Sequence, residues 1–229
     1  RLHNAKNITH LMGFLEGDWW VQDMAASMPA LLFGDIKDKV IIDICAAPGG
    51  KTAQLAAKGA KVVAIDKSNH RISTLKTNLN RLKLQAECIT TDAASYIPSI
   101  APDAILLDSP CSATGTIRRH PDVVWHRKPE DIARIAATQH KLLNHALNIL
   151  KSGGTLVYAV CSMQPEEGED QINRILAERN DVTLSPVDSA LIGGMKECIT
   201  QRGEIRTLPF HLAELGGMDG FYAAVLTKK

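Results

Sequence analysis

No Cys-x-x-Cys pair occurs in this sequence, and its five cysteines, Cys45, Cys88, Cys111, Cys161 and Cys198, are odd in number and widely spaced. That pattern argues against a disulfide framework and against a structural zinc site. Free thiols point to a reducing compartment, so the expected location is the cytoplasm. No apolar run approaches the length of a membrane span, and no signal peptide is visible, so no membrane partner is expected. Strong charge is missing too: 26 Lys and Arg stand against 25 Asp and Glu, for a net charge of +1. That balance neither demands nor excludes nucleic acid, because a local basic patch binds phosphates on a neutral protein. Internal repeats and low-complexity tracts are absent. The histidines suggest no metal, since His140 and His145 lie five apart, not the four that sets two ligands on one helical face.

What is present is an ordinary globular composition, 45% hydrophobic and 22% charged over 229 residues. This length suits one large domain with at most a small extension. The chain opens on Arg1, not on Met, and reads as a fragment of a longer chain. Residues 1–34, with Trp19 and Trp20, read as a partly helical lead-in, the end of an upstream segment. Residues 35–229 read as the catalytic domain, and a monomer is the expected assembly.

From residue 40 onward, strands and helices alternate. Short β-branched runs at 40–44 and 62–65 are followed by helical stretches at 51–57 and 72–82. Residues 88–91 form a third candidate strand and 104–107 a fourth, ending on Asp108. Ile132, Ile135, Ala136, Leu142, Leu143, Ala146, Ile149 and Leu150 recur at helical spacing, and Gly153-Gly154 then stops that helix. A fifth strand spans 155–160. Pro165-Glu166-Glu167 opens another helix with proline and carboxylates in its first turn. Residues 221–226 form a last strand, with 205–208 as its partner. Alternation over the first five units predicts an α/β fold with a doubly wound, mostly parallel sheet. Ligands in such sheets bind beyond the carboxyl ends of the strands. The residues just after each strand therefore carry the chemistry.

After the first strand stands Asp43-Ile44-Cys45-Ala46-Ala47-Pro48-Gly49-Gly50-Lys51-Thr52. Small residues let the backbone turn tightly and approach a ligand. A phosphate loop needs G-x-x-x-x-G-K-[ST]; Gly50-Lys51-Thr52 supplies its second half, but Cys45 replaces the first glycine. The dinucleotide signature G-x-G-x-x-G is absent. S-adenosylmethionine needs neither. It needs room for its methionine portion and a carboxylate for its ribose hydroxyls, and Asp66, ending the second strand, fits that need. Asp92, after the third strand, is placed to receive the adenine amino group. Either aspartate alone is as well explained by an ordinary helix cap; the ordered set is not.

After the fourth strand comes Asp108-Ser109-Pro110-Cys111-Ser112-Ala113-Thr114-Gly115, and after the fifth Tyr158-Ala159-Val160-Cys161-Ser162. Were these strands neighbours, two thiols and one carboxylate would converge beside the methyl donor. Carbon 5 of cytosine is a poor nucleophile. A thiolate adding at carbon 6 makes an enamine of the ring, and carbon 5 can then attack a methyl group. An acid near N3 offsets the charge that develops. One thiol suffices for this scheme, and the residues alone do not say which cysteine attacks. A single buried cysteine at a strand end is usually inert; two, one of them following Asp-x-Pro, point to function.

At these residues the sequence resembles the NOL1/NOP2/Sun family of RNA cytosine-5 methyltransferases, in particular its bacterial Sun/RsmB type acting on small-subunit ribosomal RNA. The resemblance includes Val21-Gln22-Asp23, the 43–52 loop, 108–115, Arg118-Arg119-His120-Pro121-Asp122, the Cys161-Ser162 turn and Asp219-Gly220-Phe221. It implies a Rossmann-like class I S-adenosylmethionine-dependent methyltransferase fold with an antiparallel C-terminal strand. It implies Cys161 as nucleophile, Cys111 as the residue assisting product release, Asp108 as the contact to cytosine N3, and Lys51 close to the same centre. Cofactor contacts are expected from Cys45, Ala46, Ala47, Pro48, Gly49, Gly50, Lys51, Asp66, Arg71, Asp92 and Asp108. The sequence departs from the family at Ser109, Ala113 and Val160, where alanine, glycine and threonine are usual.

The loop after Cys111 carries Arg118, Arg119, His120, His126, Arg127 and Lys128, with Trp125 among them. Arg118, Arg119, His120 and Arg127 are the expected RNA contacts. Trp125 is expected to pack inward, although an exposed ring there could stack on a base. Three rival readings remain at this point. One is a module that binds cofactor or RNA without turnover, one an oxidoreductase or ATPase, and one a DNA methyltransferase.

Overall fold

The computed structural model describes residues 7–229. The first six residues of the segment read as a lead-in lie outside the described residues. Strands β1 (Val40–Ile44), β2 (Lys61–Asp66), β3 (Glu87–Thr90), β4 (Ala104–Asp108), β5 (Thr155–Val160), β6 (Val182–Ser185), β7 (Ile205–Thr207) and β8 (Phe221–Lys228) form one eight-stranded sheet. Its order is β3-β2-β1-β4-β5-β8-β6, with β7 also paired to β8. The first five strands are parallel. β8 runs antiparallel to β5, and β6 and β7 run antiparallel to β8. This is the doubly wound, mostly parallel sheet with an antiparallel C-terminal strand that the sequence predicts.

The central strands are nearly continuous apolar runs because both of their faces are covered. Ile41, Leu106, Val157 and Ala159 point to one face, under α1 (Met24–Leu31) and α2 (Gly50–Ala57). Leu75 and Leu79 of α3 (Asn69–Leu82) pack on the same side against Ala64 and Ala53. Ile42, Ile105, Leu107, Leu156 and Tyr158 point the other way, against α4 (Pro129–Ile149) and α5 (Glu169–Glu178). Full burial of each such Leu or Ile contributes roughly 1.5–3 kcal/mol. α4 starts where the sequence supplies a proline and a cap: the Lys128 amide donates to Asp131 Oδ2 at 3.1 Å.

Three elements differ from the sequence reading. The stretch read as a lead-in contains α1, whose Ala25, Met28 and Ala30 are buried in the same cluster as β1 and β4. β6 is a strand where none was read. Pro165–Glu167 is a single 3-10 turn, and α5 begins only after Gly168, whose φ of −112° and ψ of −103° break the helix.

Candidate active site

Parallel pairing carries the ends of β1, β2, β3, β4 and β5 to one edge of the sheet. The register sets Ile44 beside Leu107 and Asp108 beside Ala159. A cleft of about 830 Å³ opens there, lined among others by Cys45, Asp66, Arg71, Asp92, Asp108, Cys111 and Cys161. Seven of the sequence-predicted residues thus share one wall. Ala46, Ala47, Pro48, Gly49 and Gly50 shape the loop beneath it. Gly49 sits at φ +104°, and a Cβ there would lie 2.9 Å from Leu75. A second hollow of about 890 Å³, lined by residues from β1, β2, α3 and β3 and by Ile100, holds none of the predicted residues.

The cofactor half is built from caps that leave an oxygen over. Asp66 Oδ1 accepts from the Ser68 amide at 3.0 Å. Its Oδ2, buried and 3.1 Å from the Arg71 guanidinium, accepts no hydrogen bond. Asp92 Oδ1 caps the Ala94 amide at 2.9 Å. The capping and cofactor readings of these aspartates are therefore compatible. Arg71 also donates to the Ala47 carbonyl and so braces the loop against Asp66. Asp66 Oδ2, ion-paired with Arg71 but without a hydrogen-bond donor, is an acceptor that a pair of ribose hydroxyls would satisfy. The residues present fit S-adenosylmethionine.

Beneath the loop, Asp43 is fully buried and accepts from Thr52 Oγ1 at 2.6 Å, while its second oxygen has no donor. Burial, reinforced by the charges of Asp108 and Asp66 and opposed by Thr52 and Lys51, pushes its carboxyl up to about 7. Burial likewise pushes the Cys45 thiol up to about 12, which leaves it inert.

The reactive half joins β4, β5 and α2. Lys51 Nζ donates to Asp108 Oδ2 at 2.7 Å and lies 5.2 Å from the Phe221 ring centre. Burial favours the neutral amine, but the Asp108 carboxylate outweighs it and holds Lys51 above its ordinary value. Cys111 Sγ lies 3.3 Å from Cys161 Sγ. The hydrogen bond between them and burial keep Cys111 protonated, well above the usual thiol range. The same hydrogen bond, helped by Lys51 and opposed by burial and Asp108, lowers Cys161. The shared hydrogen bond thus acts in opposite directions on the two thiols, raising Cys111 and lowering Cys161, an asymmetry the sequence could not supply.

Two further features hold this half together. Gly115 donates to the Cys161 carbonyl at 3.0 Å and accepts from Gly220 at 2.8 Å. A Cβ on Gly115 would stand 1.8 Å from the Gly220 oxygen, so only glycine fits. Glu167, fully buried, accepts from the Ser112 amide at 2.8 Å and from the Ser112 and Ser162 hydroxyls. Sequence reasoning missed Glu167. It took Glu166-Glu167 as first-turn helix charges, and nothing in the local pattern separates the exposed Glu166 from its buried neighbour.

The predicted RNA contacts divide. Arg118 reaches Asp23 at 2.8 Å and Asp219 at 3.3 Å, and Arg119 Nε donates to both Asp219 oxygens at 3.0 and 3.1 Å. Asp219, only 2% exposed, thus clamps the arginines while its amide donates to Asp23 at 3.1 Å. Three separate motif segments meet in this cluster. Arg127 Nε donates to the Ser112 carbonyl at 2.9 Å, and His120 is exposed. Trp125 does not pack inward: it is 83% exposed, on a 3-10 turn whose residues are all at least partly solvated. Among the described residues, no three His, Cys, Asp or Glu side chains are grouped to hold a metal ion.

Comparison with known proteins follows the same geometry. The family described as 16S rRNA methyltransferase RsmB/F matches residues 30–227. A ribosomal RNA small subunit methyltransferase B from Shewanella oneidensis is 41% identical over 229 residues, covering 97% of this chain and 51% of that protein. Its counterpart from Proteus mirabilis is 42% identical, covering 100% and 50%. The chain thus spans about half the length of the curated relatives it matches. Among solved structures, NSun6 from Pyrococcus horikoshii, crystallised with an S-adenosylmethionine analogue, superposes with a TM-score of 0.83 at 27% identity, covering 97% of this chain and 56% of that one. A methyltransferase homolog from the same organism gives 0.78 at 29%, covering 97% and 72%. With a match from residue 30 to residue 227 and relatives 41–42% identical along nearly all of it, this chain belongs to the 16S rRNA methyltransferase RsmB/F family.

Proposed function

We propose that this chain methylates carbon 5 of a cytosine in small-subunit ribosomal RNA, in the cytoplasm, through a covalent adduct with Cys161. The observation that carries the reading is the thiol pair, 3.3 Å apart, with Asp108 of the Lys51–Asp108 pair lining the same cleft. S-adenosylmethionine, when bound, supplies an electrophilic methyl group. Asp66 would hold its ribose and Asp92 its adenine, over the backbone of residues 45–51. Cys161, the thiol more easily ionised, gives its electron pair to carbon 6 of the cytosine. The Lys51–Asp108 pair holds a proton that N3 can take as negative charge grows on the ring. Carbon 5 is then the atom that would accept the methyl group, the broken sulfonium–methyl bond leaving S-adenosylhomocysteine. The carbon-5 proton leaves to a base, the electrons of that carbon–hydrogen bond rebuild the 5,6 double bond, those of the sulfur–carbon bond return to Cys161, and N3 gives its proton back to the Lys51–Asp108 pair. Cys111, in contact with that sulfur, assists the release. The target base must be unstacked to enter, and Arg127 and His120 would contact its phosphates.

The test incubates small-subunit ribosomal RNA and labelled S-adenosylmethionine with Cys161→Ala and Cys111→Ala proteins, followed by denaturing gels. Cys161→Ala gives neither methylation nor adduct, and Cys111→Ala gives a denaturation-resistant protein–RNA complex. Methylation by Cys161→Ala would make Cys111 the nucleophile. Cofactor binding without methyl transfer by the wild-type chain would mark a binding module, and transfer to DNA but not RNA a DNA enzyme.

A further inference from the structure

Cys111 and Cys161 belong to two different loops, and the sheet alone does not set their separation. The last backbone contact between β4 and β5 is the Ser109 amide to the Ala159 carbonyl, at 2.9 Å. Both thiols lie beyond it. Past that point the Gly115 amide donates to the Cys161 carbonyl at 3.0 Å and Thr114 Oγ1 accepts from the Met163 amide at 3.1 Å, and one buried side chain grips the residue that follows each cysteine. Glu167 Oε1 accepts from the Ser112 amide at 2.8 Å, and its Oε2 accepts from the hydroxyls of Ser112 and Ser162. Ser112 follows Cys111 directly, and Ser162 follows Cys161. Gln139 of α4 completes the cage, donating to Glu167 Oε1 at 3.2 Å and, through the same nitrogen, to the Pro110 carbonyl at 2.9 Å. Tyr158 of β5 donates to the Glu167 carbonyl at 2.6 Å, which fixes the backbone under the side chain.

A carboxylate this deep in the protein is costly unless every oxygen is bonded, and one loop alone could not supply four donors. Here the donors come from α4 and both cysteine loops, and Glu167 makes no ion pair among the described residues. We propose that Glu167 is the positioning residue of the thiol pair, holding Cys111 and Cys161 in contact by gripping the residue that follows each. Its charge also acts on Cys111, helping to hold that thiol protonated, though less than the hydrogen bond from Cys161 and burial do. The inference rests on the reading of these two cysteines as the reactive pair.

Two measurements separate the inference from that reading. The first uses dibromobimane on the RNA-free protein; the reagent fluoresces once both arms have reacted with thiols lying close together. The second is steady-state methylation of small-subunit ribosomal RNA. Glu167→Gln keeps the shape and removes one acceptor and the charge. Ser162→Ala is the milder variant, cutting the grip on the Cys161 turn alone, and is read in the same way where Glu167→Gln fails to fold. Folding is checked by thermal melting and by S-adenosylhomocysteine binding. In the folded variant the bimane signal falls several-fold, kcat falls roughly tenfold or more, and both KM values stay within about twofold. A folded Glu167→Gln protein with wild-type bimane signal overturns the inference, whatever its turnover. A lost bimane signal with unchanged kcat leaves the grip of Glu167 standing and overturns the reading of Cys111 and Cys161 as the reactive pair.

Discussion

Replacing Asp43 by asparagine should make the protein more stable, and increasingly so as the pH rises. Asp43 is fully buried at the end of β1, has one bond from Thr52, and faces Asp108 and Asp66. Its carboxyl titrates near 7 in the native state, against an ordinary value of 3.8. Between those two values the folded protein keeps a proton that the unfolded chain has already released. Stability therefore falls as pH rises through this window, by at most about 1.4 kcal/mol per pH unit for one proton. The difference of about 3 pKa units corresponds to a total of about 4 kcal/mol, fully expressed above the native value and absent below the unfolded one. The asparagine amide is neutral throughout and keeps an acceptor for Thr52. Urea unfolding of both proteins, followed by circular dichroism, gives the comparison. The advantage of Asp43→Asn should widen by about 2.5 kcal/mol between about pH 5 and about pH 8. Parallel stability curves for the two proteins over that range would show that Asp43 is not held protonated.

Gly115→Ala places a methyl group 1.8 Å from the Gly220 oxygen and pushes on the Cys161 carbonyl. A loss of about 3 kcal/mol is expected, read as a thermal midpoint lower by about 6–12 °C. Ala113→Gly goes the other way. Ala113 holds φ +60° and ψ +22°, and relief of that strain exceeds the added freedom of glycine in the unfolded chain by about 0.5 kcal/mol. A higher urea midpoint at unchanged slope is the readout. Asp219→Ala leaves Arg118 and Arg119 with only Asp23 nearby. Because Arg119 is 44% exposed and can rehydrate, the cost is about 2–3 kcal/mol, not that of a fully buried pair, and denaturant unfolding measures it.

The parallel half of the fold was legible because both faces of its strands are covered. Runs such as those of β1, β4 and β5 then read as strands without any periodicity argument. β6 was not legible, since its Val-Thr-Leu-Ser has one fully buried side chain and it owes its strand form to pairing with β8. Helix was read within 1–34, but the place of α1 in the core was not legible, for a related reason. Its alanines and Pro29 give no amphipathic pattern, and only the space under the sheet defines their role. In the site, residues that follow strands could be placed from sequence because the strand ends fix their position. Asp66, Asp108, Cys111 and Cys161 are of this kind. The roles of Arg118, Arg119 and Glu167 depend on partners up to 101 positions away, which no local pattern reports.

β8 has a consequence for how the chain comes together. β5 is apolar on both faces, and its outer backbone edge finds a partner only in β8, after α5, β6 and β7 have been laid down. Until then it is a long, bare, hydrophobic edge of the sort that templates pairing between different chains. In the finished sheet the outermost strands of the path, β3 and β6, are each four residues long and partly polar. Closing the sheet thus replaces the adhesive β5 edge with short outer strands and leaves the blunt β3 edge as it was. Chains caught midway, whether on a ribosome or during dilution from denaturant, expose that β5 edge, so the expected outcome is a refolding yield that falls as protein concentration rises.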